Sequence, residues 1–108
     1  MAKPTHVVSD LETNAREAAD LLRVMANEHR LLVLCALRGG ELSVGQLAEL
    51  VGLSQSALSQ HLARLRSDRV VATRRQGQTI FYSIADEDAA ALLEALAGVM
   101  SRRRERGA

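Results

Sequence analysis

The sequence predicts a mainly α domain carrying one β-hairpin, and three observations lead there. Apolar residues make up 47% of the 108 positions, yet Phe81 and Tyr82 are the only aromatics. A core of Leu, Val and Ala favours packed helices. Apolar positions recur at helical spacing along most of the chain and turn to an extended pattern only over residues 70–84. Glycines and capping serines punctuate those stretches at short intervals. The length fits a single domain, large enough for a real core and small for an enzyme with its own substrate pocket.

Each element follows in order. Residues 1–8 read as a flexible tail. From about Ser9, Leu11, Ala15, Ala18, Leu22 and Met25 form the stripe of a first amphipathic helix. Asn27 caps a second helix whose run from Leu31 to Leu37 is apolar nearly all round, which predicts a central position. Gly39-Gly40 stops it. Ser43-Val-Gly-Gln46 has the pattern of a capping box and opens a third helix through Val51, with Val44, Leu47, Ala48 and Val51 inward. Gly52-Leu53 turns the chain and Ser54 caps a fourth helix, so the pair forms a helix-turn-helix. Residues 70–75 and 79–84 read as strands around Gln76-Gly77-Gln78, a hairpin with glycine at its tip. A last helix runs from about Asp86 through Leu92, Leu93, Leu96, Val99 and Met100. The domain therefore spans 9–101, with a basic C-terminal tail over 102–108.

The fourth helix is the most informative segment. Gln55, Ser56, Ser59, Gln60 and His61 cluster in its first two turns, above Ala57, Leu58, Leu62 and Leu65. Amide and hydroxyl side chains match the donor and acceptor pattern of base edges in a major groove. A helix that presents them at its N-terminal end is built to read DNA. Net charge is only +1, but five arginines (Arg64, Arg66, Arg69, Arg74, Arg75) stand against Asp68 alone between 64 and 75. Four acids and no base occupy 86–94. A local basic face offset by acids elsewhere is the footprint of a phosphate-binding surface.

A helix-turn-helix followed directly by a hairpin is a winged helix-turn-helix. Its roles divide as follows. Gln55, Ser56, Ser59, Gln60 and His61 face bases, with Thr73 a further candidate. Ser43 and Arg64 hold phosphates, and Ser54 caps the reader at the DNA-facing end. Arg74, Arg75 and Gln78 form the wing, where arginine serves both phosphates and a narrow, electronegative minor groove. The apolar stripes of the first and last helices exceed the needs of one small core and predict a homodimer, matched to inverted-repeat double-stranded DNA.

Four blocks of sequence resemble the ArsR/SmtB family of bacterial winged-helix repressors over residues 10–101. They are Met25-Ala-Asn-Glu-His-Arg-Leu-Leu, Glu41-Leu-Ser-Val-Gly-Gln-Leu-Ala, Leu53-Ser-Gln-Ser-Ala-Leu-Ser-Gln-His-Leu-Ala-Arg-Leu and Gln78-Thr-Ile-Phe-Tyr-Ser-Ile. The resemblance implies the order helix, helix, helix, helix, strand, strand, helix, a homodimer joined by the first and last helices, and repression relieved by an inducer.

The inducer is narrowed by what the chain lacks. Metal sensors of that family carry two thiolates where this chain reads Glu41-Leu42-Ser43-Val44-Gly45. Others bind zinc across the last helix, where this chain offers Asp86-Glu87-Asp88, then Val99 and Arg102. Carboxylates without imidazole or thiolate make a poor zinc site, and His6, His29 and His61 lack ligand spacing. No metal and no cofactor are expected. A lone cysteine on an apolar helix is ordinarily a small buried hydrophobe. Yet the family resemblance includes a branch that senses oxidants or reactive sulfur with two cysteines. Cys35 matches one, and the other position falls at Ser101. A thiol switch needs two sulfurs, so Ser101 removes the intrachain bridge. The expected function is a repressor of the reactive-sulfur or redox-responsive type. The alternative is a repressor with no thiol switch.

Other classes fit less well. No nucleophile elbow, phosphate loop or zinc-protease motif is present, and Cys35 in its apolar segment is poorly placed as a nucleophile. A non-specific architectural DNA binder would rely on Lys and Arg in the reader helix, not Gln and Ser. A protein-docking module would be told apart by its weak salt dependence. The N-terminus has no apolar leader, and no run approaches the roughly 18–20 apolar residues of a membrane span. A cytoplasmic location follows.

Overall fold

A computed structural model describes residues 10–107. The tail over 1–8, His6 within it and the start of the first helix at Ser9 lie outside the described residues. The elements are α1 (Asp10–Thr13), α2 (Ala15–Met25), α3 (Glu28–Leu37), β1 (Leu42–Ser43), α4 (Val44–Val51), α5 (Gln55–Ser67), β2 (Val71–Gln76), β3 (Thr79–Ile84) and α6 (Glu87–Gly107). This is the winged helix-turn-helix expected from the sequence, with three differences in detail.

The first expected helix is stepped at Asn14, whose side-chain amide donates to the Asp10 carbonyl at 2.8 Å. The Asn14 backbone amide keeps its own bond to that carbonyl at 2.9 Å, and the step lies in the Asn14 dihedrals, φ −110° and ψ 28°, which divide the stripe into α1 and α2. The second difference is an additional strand. Leu42 and Ser43 pair antiparallel with Tyr82 and Phe81, giving a three-stranded sheet of order β1-β3-β2. Third, residues 102–107 are not a loose tail. They continue α6 without interruption and are exposed.

Local chemistry sets the helix ends. The capping box forms in full: Ser43 Oγ accepts from the Gln46 amide at 3.2 Å, and Gln46 Oε1 accepts from the Ser43 amide at 2.9 Å. Gly52 ends α4 with φ of 71°, the left-handed geometry that makes the tight turn possible. Ser54 Oγ then accepts from the Ala57 amide at 3.1 Å and opens α5. The amides of Val70 and Arg69 bond the Leu65 and Arg66 carbonyls, which closes α5 with a Schellman motif.

One core holds these elements. Val33, Leu34, Leu47, Leu58, Leu65 and Ala89 are completely buried, with Val24, Met25, Leu37, Leu62, Val70, Val71 and Leu93 nearly so. α5 therefore packs through Leu58, Leu62 and Leu65 and leaves its other faces free. α3 is central on one face only. Leu32 is 43% exposed and Cys35 is exposed too, against the expectation of a helix covered all round. No helix among the described residues is long and apolar enough to cross a membrane.

Candidate nucleic-acid interface

The three buried leucines fix which way α5 looks. At about 100° per residue, Ser56, Gln60 and Arg64 point directly away from Leu58, Leu62 and Leu65. All three are exposed, as are Gln55 and Ser59. Gln55 and Ser59 sit on the flank nearer the sheet, where Ser59, Ala63, Arg66 and Ser67 line a shallow cleft with Tyr82 of β3. The expected reader residues thus share a continuous exposed surface, with one exception.

His61 lies on the opposite flank, against α3. It is half-buried, and its ring centroid is 5.4 Å from that of His29, with the planes tilted by 41°. Burial pushes the His61 imidazole below its usual range, and the nearby His29 ring and Arg30 guanidinium push the same way. Arg30 is itself tied down, donating through Nε to the Val24 carbonyl at 2.5 Å. His61 is therefore a packing contact between α3 and α5 in the free chain and stands apart from Gln55, Ser56, Ser59 and Gln60.

The wing is a tight hairpin. Arg74, Arg75 and Gln76 pair with Phe81, Ile80 and Thr79, so the loop is only Gly77-Gln78. Gly77 has φ of 64°, and glycine at the first loop position is what a type II′ turn requires. Thr73 pairs with Tyr82 and is half-buried, well below the tip.

The arginines of the basic run are not equivalent. The Arg74 guanidinium donates to both oxygens of Glu41, with Nε at 3.2 Å from each, and also bonds Gln76 Oε1 at 2.9 Å. It lies over the Phe81 ring, 4.7 Å from the centroid. The hydrogen bonds to Arg74 hold Glu41 below the usual carboxylate range and raise Arg74 further above its own. Arg64 pairs with Asp68 at 2.9 Å, one turn along α5. Among the described residues, Arg66, Arg69 and Arg75 make no ion pair. Ser43 and Ser54 both spend their hydroxyl oxygens as helix caps and retain the hydroxyl proton.

Two contacts escaped sequence reasoning. Glu41 sits 33 positions before Arg74, and nothing in its neighbourhood announces the pair. Arg38 at the end of α3 makes a two-pronged bond to Glu94 of α6, at 3.0 and 2.8 Å. Cys35 lies one turn before Arg38, and Ser101 lies two turns beyond Glu94; both are exposed. Among the described residues, no three His, Cys, Asp or Glu side chains converge in a way that would hold a metal ion.

Comparison with known proteins agrees with this geometry. The model of the bacterial regulatory protein arsR family matches residues 27–73, from the α3 cap to the middle of β2. The transcriptional activator HlyU of Vibrio cholerae is 49% identical over 89 residues, covering 82% of each chain. The structure of reduced HlyU from that organism superposes with a TM-score of 0.79 over 83% of this chain and 95% of that one. The transcriptional repressor BigR of Xylella fastidiosa is 39% identical with a TM-score of 0.82, over 87% of this chain and 96% of its own. An antimony-specific transcriptional repressor, AntR, is 33% identical with a TM-score of 0.80 over 97% of both chains. The chain belongs to the ArsR family of helix-turn-helix transcriptional regulators, DNA-binding proteins and not enzymes.

Proposed function

We propose that the chain is a sequence-specific repressor that binds inverted-repeat operators as a homodimer, with α5 in the major groove and the β2–β3 wing along the backbone. One observation carries this reading. Gln55, Ser56, Ser59 and Gln60 form an exposed amide and hydroxyl surface on a helix pinned by three buried leucines. Those side chains suit base edges, while Arg75 and Gln78 at the hairpin tip and Arg64, Ser43 and Ser54 around the helix suit phosphates. Repression, not activation, follows from the resemblance to BigR and from the simplest consequence of occupying a promoter; HlyU is an activator in its own organism.

Dimerisation is supported by apolar surface left open on the single chain. Leu22 is 54% exposed, Leu96 37%, Val99 39% and Met100 53%. A two-fold dimer sets two recognition helices about 34 Å apart, one turn of DNA, which is what an inverted repeat presents. The molecule works in the cytoplasm, where such operators are.

The regulator is of the oxidant- or reactive-sulfur-responsive type, built to sense through Cys35 and a second cysteine position that Ser101 now occupies. The exposed thiol supports this, since a reagent reaches it without unfolding the helix. Ser101 favours a second reading, a regulator without a dithiol switch, because no sulfur stands there to resolve an oxidised Cys35. A displacement of the recognition helices worth about 1–3 kcal/mol of coupling would release DNA by roughly 5–150-fold.

The test is a fluorescence-anisotropy titration with inverted-repeat DNA from the gene's own promoter and with a scrambled duplex, across a range of salt. Selective binding that weakens steeply with salt is expected. Equal affinity for both duplexes would leave an architectural binder, and salt-independent binding would leave a protein-docking module.

A further inference from the structure

The last two thirds of α6 belong to no core. From Glu94 to Gly107 no residue is buried, although α6 is 21 residues long and continuously helical. Leu92, Leu96, Val99 and Met100 recur at i, i+4, i+7 and i+8 along it, an apolar stripe 37–53% exposed with nothing on it. Charge is segregated at the two ends of this stripe. Asp86, Glu87 and Asp88 precede it, and Arg102, Arg103, Arg104 and Arg106 follow it, with Glu105 the only acid among them. None of the four arginines has an ion-pair partner among the described residues.

We infer that the Arg102–Arg106 block is a dimer-locking arm. It seats on the acidic start of the partner's α6 as the two α6 helices pair antiparallel through their apolar stripes. The inference rests on the homodimer proposed above and adds the job of the arginines.

Three arguments converge on that arrangement. A parallel pair would set arginine against arginine and carboxylate against carboxylate, whereas an antiparallel pair sets each block against its opposite. A two-fold axis near Leu96 sets the partner's Arg103 and the partner's Arg106 within a turn of Asp88. Arg103, Arg106 and Asp88 also share the face of the stripe, at about 100° per residue, so the charges flank the seam and do not point away from it. The arm cannot serve its own chain. Arg103 stands 15 positions beyond Asp88, about 22 Å along a rigid helix at roughly 1.5 Å per residue.

The receiving surface has the shape for it. A groove of about 650 Å³ runs between α2 and the start of α6, lined by Glu17, Asp20, Asp68, Asp86 and Asp88; Asp20 and Asp68 pair with Arg23 and Arg64, while Glu17, Asp86 and Asp88 make no ion pair among the described residues. Its floor is apolar, from Leu21, Val24, Ala91 and Leu92. Guanidinium groups with long methylene stems match such a surface, the stem on the apolar floor and the head on the carboxylates.

A charge-swap experiment on the full chain tests this. An arm variant carries Arg103→Glu and Arg106→Glu, and a groove variant carries Glu17→Lys and Asp88→Lys; all four side chains are exposed. Sedimentation velocity at near-physiological salt should show each variant alone dimerising about tenfold or more weakly than the unaltered chain. Mixed together, the two should form a heterodimer, because each then meets a complementary partner; circular dichroism checks that both are folded. Variants that dimerise as tightly as the unaltered chain would overturn the arm. So would weak variants that fail to rescue each other, or an arm variant that dimerises normally but loses operator affinity, which would assign the arginines to DNA. An unaltered chain that is monomeric at micromolar concentration would instead overturn the dimer itself, and the arm with it.

Discussion

Arg74, on the second strand of the sheet, is clamped by Glu41, which lies immediately before the first. The pair ties the wing to the base of the helix-turn-helix. It also neutralises the one wing arginine that already has a place to sit, since its guanidinium rests over Phe81. Arg74 is thus a positioning residue for the hairpin in the free chain, and Arg75 is the available cation. Arg75→Ala is expected to weaken binding to all duplexes and to lower the slope of log affinity against log salt by about 0.9. Arg74→Ala should change the slope less, and Glu41→Gln should steepen it by freeing Arg74 for phosphate. Anisotropy titrations over a salt series measure all three. Equal slopes for the Arg74 and Arg75 variants would contradict the division.

The reader surface makes a different demand. Gln60 points straight away from the buried leucines, the position from which the proposed reader helix would meet a base pair first. Gln60→Ala should cost about 1–3 kcal/mol of discrimination at one or two operator positions, with little loss on non-specific DNA. Competition with single-base operator variants reads this out. A uniform loss on every duplex would instead place Gln60 on a phosphate.

How far these features could be read from the chain depended on distance in sequence. The Ser43–Gln46 box and the Gly77 hairpin are local, decided within four residues, and both formed as expected. β1 has only two residues, too short for any period, and exists because β3 lies beside it some 39 positions later. The partner of Arg74 was equally remote. The exposed side of α3 was illegible for a different reason. Apolar residues all round a helix do not show that other elements of the chain cover every face, and Leu32 and Cys35 lie exposed. The arginines of 102–106 read as a tail by their charge, although arginine is a good helix former and α6 simply runs on through them.

The His29–His61 contact gives the helix-turn-helix a pH dependence with a definite sign. Burial holds the His61 pKa below its unfolded value, so between the two values the unfolded chain binds more protons. Stability is then highest above about pH 6.5, the ordinary imidazole value, and falls as pH drops below it. Protonation adds a charge facing the His29 ring and the Arg30 guanidinium, the groups of α3 that press on α5 there. Denaturant midpoints at pH 8 and pH 5.5 should differ more for the unaltered chain than for His61→Gln. Equal losses in both would move the pH dependence to other groups.

The proposed thiol switch turns on Cys35 and Ser101. Arg38 and Glu94 hold the end of α3 to α6, and the cysteine and serine lie one and two turns from that contact on the same two helices. A covalent link between them would pull α6 toward α3, and α6 is also the helix that carries the open apolar stripe. Oxidising Cys35 alone adds bulk but no link, because a thiolate must displace the leaving sulfur or oxygen to close a bridge. This chain should therefore keep its operator affinity within about twofold after polysulfide treatment, far short of the roughly 5–150-fold that an allosteric coupling delivers. Ser101→Cys should release DNA on the same treatment and regain it after reduction, while Cys35→Ser/Ser101→Cys should not. Release by the unaltered chain would mean that Cys35 acts without a partner in the same protomer, through a cross-link to a second copy. Non-reducing electrophoresis would show that species directly.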